Sequence, residues 1–130
     1  SWIDSVLTNA KEDWIIVAGH HPIYAETSKD DSERLDMQNR LDPILRKHKV
    51  DMYICGHIHN FQHIRIPGRN IDYVVNSAGS LARKVKPTVG TVFCSPEPGF
   101  SVISADKKTL TLRMIDKKGN ILHTVTRNSQ

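Results

Sequence analysis

Apolar positions along the chain follow two rhythms. Trp2, Ile3, Val6 and Leu7 fall on one side of a helical wheel, which predicts an amphipathic helix over 1–9. Residues 14–18 form a short continuous apolar run closed by Gly19, the pattern of a strand buried on both faces. Polar residues fill 25–33 and mark a loop. Leu35, Met37, Leu41, Ile44 and Leu45 then recur at helical spacing as far as His48, with a bend expected at Pro43, whose ring removes a backbone donor. Residues 50–55 read as the next strand, again closed by a glycine, Gly56.

Strand, helix and strand in this order make a right-handed crossover, so the two strands are expected to be parallel, with both glycine-ended loops on one edge of the sheet. Ligand sites gather at such an edge. Further on, 71–75, 100–104, 109–115 and 121–126 read as strands, the last two joined by a hairpin turn around Gly119. Segment 84–99, with three prolines and two glycines, reads as a long surface loop. The expected class is α/β (α+β): a parallel strand-helix-strand unit followed by antiparallel strands, without internal repeats.

Composition narrows the function classes. Of 130 residues, 38% are hydrophobic and 25% charged, which fits a globular domain or part of one. The formal charge of +4 favours anionic ligands, but the basic residues are scattered and form no nucleic-acid arm, so no nucleic-acid partner is expected. No stretch approaches the roughly 18 apolar residues of a membrane span, and the start lacks the pattern of a signal peptide. The first residue is Ser1 and the chain opens inside a helical pattern, so it is expected to begin within a larger protein. Cys55 and Cys94 have no CxxC spacing and read as unpaired thiols.

Three of the seven histidines sit where catalytic groups belong: His20 directly after Gly19, and His57 and His59 after Gly56. Imidazole is a good ligand for zinc and iron near neutral pH, and a preceding glycine lets the backbone turn so that the ring aims across the strand end. An HxH pair alone is weak evidence of a metal site. A second histidine at the end of the neighbouring parallel strand strengthens it, because the topology brings the two loops together. His21 is open to packing or ligation, His63 faces the site or packs beside Phe61, and His48 and His123 read as surface positions.

Val17-Ala18-Gly19-His20-His21-Pro22, the run Tyr53-Ile54-Cys55-Gly56-His57-Ile58-His59-Asn60-Phe61-Gln62, and Ser77-Ala78-Gly79 together resemble the last metal motifs of the calcineurin-like metallophosphoesterases, in the wording of the tartrate-resistant (purple) acid phosphatases. The resemblance implies a β-sandwich between helices and hydrolysis of phosphate monoesters by a metal-bound hydroxide at a binuclear centre. His20 and His57 would hold the second, divalent metal and His59 the first, with iron paired with iron, zinc or manganese. No side chain is assigned as a catalytic nucleophile. His21, Lys29 and His63 are the candidate substrate-binding residues. The family's earlier motifs, which supply the bridging and terminal Asp, Tyr and Asn ligands, are absent from these residues, so 1–130 reads as the C-terminal part of one catalytic domain. Alone it is expected to be inactive and to hold at most one weakly bound metal. Its partners would be a phosphate-ester substrate and the missing N-terminal half or another copy of the chain. Where acid phosphatases place a further substrate-binding His, this chain has 23–30, in which Lys29 is a candidate phosphate contact and Glu26 a candidate proton donor. A phosphodiesterase or nucleotidase, or a non-catalytic partner-binding domain, is compatible with the same motifs. An extracytoplasmic location follows from resemblance alone.

Overall fold

A computed structural model describes residues 1–129. The elements in order are α1 (Trp2–Thr8), β1 (Ile16–Ala18), α2 (Ser32–Arg40), α3 (Asp42–Lys47), β2 (Met52–Cys55), β3 (Phe61–Ile64), β4 (Asp72–Val75), β5 (Thr91–Ser95), β6 (Gly99–Ala105), β7 (Thr109–Asp116) and β8 (Ile121–Asn128). The first five strands form one sheet in the order β1-β2-β4-β3-β5, and the last three a second sheet in the order β6-β7-β8. Pairing is parallel across β1-β2-β4 and antiparallel elsewhere, in line with the expected class.

Side chains alternate along the central strands between two cores. Tyr53, Cys55, Tyr73 and Val75 join Leu7 and Leu45 in a core beneath the helices. Met52, Phe61 and Val74 point the other way and meet Leu110, Leu112, Met114 and Val125 of the second sheet. The result is a helix layer on two stacked sheets. No helix among the described residues is long and apolar enough to cross a membrane.

Four sequence expectations are corrected. The helix expected through Pro43 divides at Leu41 into α2 and α3, with the proline in the first turn of α3, where its missing N–H costs nothing. The 14–18 run is not buried on both faces: β1 is a sheet edge, and Ile16 and Ala18 are exposed. On α1 only Leu7 is buried, whereas Trp2 is 79% exposed. Finally, 84–99 is not all loop. Thr91–Ser95 is β5, an antiparallel neighbour of β3, and the prolines that argued for a loop flank it.

Candidate metal centre

The loops after β1 and β2 are fastened to each other beyond the strand ends. Gly19 N donates to Ile54 O at 2.9 Å and Gly56 N to His20 O at 3.2 Å, so the parallel pairing continues into the turns that carry the histidines. Below them Tyr53, itself buried, donates its hydroxyl to His21 O at 2.7 Å. Gly19 makes this possible, since a Cβ there would overlap the Tyr53 hydroxyl. Gly56 plays another part than expected: a Cβ there would meet nothing within 4 Å, and it is His57 and His59 that take left-handed backbone, at φ 74° and 59°.

These constraints bring three imidazoles together. One ring nitrogen from each of His20, His21 and His57 lies within 4.8 Å of the other two, and His57 Nδ1 is 3.1 Å from His20 Nε2. Burial, then the positive charge of Lys29 and the neighbouring His21 and His20 rings, holds the His57 imidazole below its ordinary pKa, so its metal-binding neutral form is favoured. Glu33, in the first turn of α2, contacts His21 Nε2 at 2.7 Å. In the sequence Glu33 is one more polar residue at the end of the 25–33 loop, with no local signal of this contact. A carboxylate on a histidine of this kind orients the ring and raises its basicity. Lys29, Arg34 and Asp30 line the adjoining cleft of about 280 Å³ with His21 and His57.

The other expected site residues are placed differently. His59 is outside the three-ring cluster: its Nδ1 faces Leu81 O at 3.3 Å, and it lines a neighbouring cleft of about 350 Å³ with His57, Asn76 and Ser77. His63 lines neither cleft. It is buried between the sheets, with Nε2 on Asp72 at 2.6 Å and Nδ1 on His123 at 2.9 Å, so substrate cannot reach it in this arrangement. His123 is half-buried and stacked on Phe93 rather than on the surface. His48, also expected at the surface, is only 12% exposed and bonds Asp4 at 2.6 Å. Glu26 is a loop fastener: its backbone exchanges two hydrogen bonds with the Gln62 amide, and its carboxylate accepts from Lys86 N at 2.9 Å.

The donor set suits one transition metal. Three imidazoles, one backed by a carboxylate, form a cluster that could hold a metal ion. A second metal would need more ligands than the rings left over, and among the described residues Glu33 is the one carboxylate in contact with the cluster.

Comparison with known proteins places the chain among relatives. The calcineurin-like phosphoesterase family matches residues 1–61. Human tartrate-resistant acid phosphatase type 5 is 30% identical over 132 residues, covering 94% of this chain and 40% of that protein. GAP50, the anchor in the inner membrane complex of Plasmodium, superimposes with a TM-score of 0.83 at 25% identity, over 99% of this chain and 42% of that one. Purple acid phosphatase PPD1 from yellow lupin (Lupinus luteus) seeds shares the fold, with a TM-score of 0.74 at 19% identity over 98% of this chain and 27% of that one. The chain thus spans well under half the length of these relatives. The family match over residues 1–61 and the sequence similarity along nearly all of the chain make it a relative of the calcineurin-like phosphoesterases, homologous to the tartrate-resistant and purple acid phosphatases.

Proposed function

We propose that this chain provides the histidine side of a phosphate-ester hydrolase. The observation that carries the reading is the convergence of His20, His21 and His57 at the ends of two parallel strands. His20 and His57 would hold one metal, and His59, in the adjoining cleft, would help hold a second, with further ligands from residues outside this chain. Metal ions at such a site supply an activated water and neutralise charge on the attacking and leaving oxygens. The chain's own residues do the rest. Tyr53 and Gly19 fix the first histidine loop, Glu33 sets the His21 ring, and Lys29 with Arg34 gives a cationic wall for the phosphoryl group. Lys29 is a point charge suited to phosphate.

A monoester is the favoured substrate, because the relatives are acid phosphatases. Phosphate release from a monoester and a diester panel, with metal supplied to the protein joined to its remaining ligands, tests this. Loss of release in His57→Ala and faster monoester turnover are expected; faster diester turnover would reassign the substrate class. A second reading rests on the similarity to the anchor protein GAP50: a scaffold that binds a partner without turnover. Absence of both metal uptake and phosphate release in the joined protein would favour it and sink the hydrolase reading.

A further inference from the structure

At the opposite end of the parallel strands lies a further, half-open cavity of about 730 Å³ that the hydrolase reading does not use. Its floor is the start of β2 and β4, around Asp51, Asn70 and Ile71. Its walls carry Arg46 from α3, Lys49, Arg69, Lys107 and Arg127 against two carboxylates, Asp13 and Asp51. A concave wall with an excess of one charge focuses the field on whatever enters it.

Pairing inside the cavity is incomplete. Arg127 is satisfied by Asp51, Asp72 and the carbonyl of Asn70. Arg69 turns its buried Nε inward, 3.6 Å from Asp42 Oδ2 and beyond hydrogen-bond reach of it. The Asp42 carboxylate is already engaged by the hydroxyls of Tyr73 and Tyr24. Arg46, Lys49 and Lys107 are exposed and make no ion pair among the described residues. Lys49 is held in left-handed backbone at φ 54°, its N–H bonded to Arg46 O at 3.2 Å, so the turn joins two of these cations.

Guanidinium forks and ammonium groups that have no carboxylate of their own are donors suited to phosphate oxygens. We propose that this cavity binds a small polyanion carrying at least two phosphoryl groups. One tetrahedral oxyanion would leave most of the volume empty and reach only some of the cations. Linked phosphoryl groups spread charge over several oxygens, which matches cations contributed by α3, the turn before β2, the turn before β4 and the turn between β6 and β7. The arginines offer planar forks and the lysines mobile point charges.

Isothermal titration with pyrophosphate at fixed ionic strength, with chelator present to keep metal off the histidines, tests the assignment. One pyrophosphate per chain is expected, with orthophosphate and sulfate at least about tenfold weaker. The exposed pair Arg46→Gln/Lys107→Gln should weaken pyrophosphate at least about tenfold while His57→Ala stays within about twofold. Unchanged affinity in the double variant, loss of affinity in His57→Ala, or no binding at all would overturn the proposal. So would binding to vesicles containing phosphoinositide without binding to pyrophosphate, which would assign the cations to a lipid surface. Lys49→Gln, at a separate turn, must reproduce the loss if the double variant fails to fold.

Discussion

Gly19 and Gly56 look interchangeable as residues that precede a histidine, yet they do different physical work. At Gly19 the missing side chain is space, filled by the Tyr53 hydroxyl that secures the His21 carbonyl. Gly19→Ala must push that ring aside, a form of overpacking that costs about 1–3 kcal/mol. Chemical denaturation should show this loss, and metal affinity should fall with it because the His20 and His21 rings shift. Gly56→Ala meets no neighbour and should leave stability within about 1 kcal/mol of the parent. Equal effects would mean that Tyr53 is not what fixes the loop. The strain lies one residue later. Left-handed backbone at His57 and His59 costs on the order of 1–3 kcal/mol each and is sustained because the flanking strands determine the turn. Such strain is characteristic of positions where a ring must be aimed rather than merely accommodated. His57→Ala should therefore abolish metal binding while changing stability little, whereas His123→Ala should destabilise through its contacts with His63 and Phe93 and leave metal binding intact. Metal titration and thermal melting on both variants separate the two roles.

Among the elements, the strand-helix-strand unit and the last hairpin were legible in the sequence because their apolar residues keep a clear period. Gly119, at φ 88°, marks the hairpin turn, and the Asp116 carboxylate accepts from the N–H groups of Lys118 and Asn120, which also hold it below the usual carboxylate range against its slight burial. β3 was illegible for a physical reason: it buries Gln62 and His63, which look polar to any periodicity argument. Each is buried because a partner waits for it, Gln62 on the Glu26 backbone and His63 on Asp72. Those partners come from distant segments, so no local pattern announces them. Asp72 is the hub that ties the sheets together. Burial alone would raise its pKa, but hydrogen bonds from His63, Arg65 and Arg127 outweigh this and hold the carboxyl well below the usual carboxylate range. The native state therefore keeps this group ionised at pH values where the unfolded chain, with an ordinary pKa near 3.9, takes up a proton. Stability from Asp72 is fully present above that value and is lost as pH falls below it. Asp72→Asn should cost about 3–5 kcal/mol at neutral pH, since it removes the buried carboxylate shared by His63, Arg65 and Arg127, and should flatten the loss of stability on acidification below about pH 4. Denaturation midpoints across that range check both effects. An unchanged acid slope would show that another carboxylate governs it.

At the scale of the molecule, two features leave this chain wanting company. The exposed β1 edge and the outer side of α1, with Trp2 and Val6, border a groove of about 390 Å³ lined mainly by apolar side chains. An open edge beside apolar surface is a site for pairing, so the chain by itself should associate, and Trp2→Lys/Val6→Lys should return it to a monomer in sedimentation. The metal centre makes the sharper prediction. Two divalent ions about 4 Å apart repel by about 4 kcal/mol even at the dielectric of bulk water, and by more in a partly enclosed site. A bridging carboxylate is the usual remedy, but Glu33, the carboxylate that touches the histidine cluster, is 62% exposed and already occupied with His21. Three imidazoles can hold one ion and cannot offset the repulsion of a second. Zinc or manganese titrated into the chain alone should therefore bind with at most one equivalent, should be lost in His57→Ala, and should bring no phosphate release above background. Two tight equivalents with turnover would mean that Glu33, Asp30 or another local carboxylate bridges the ions, and the chain would then be an enzyme without help.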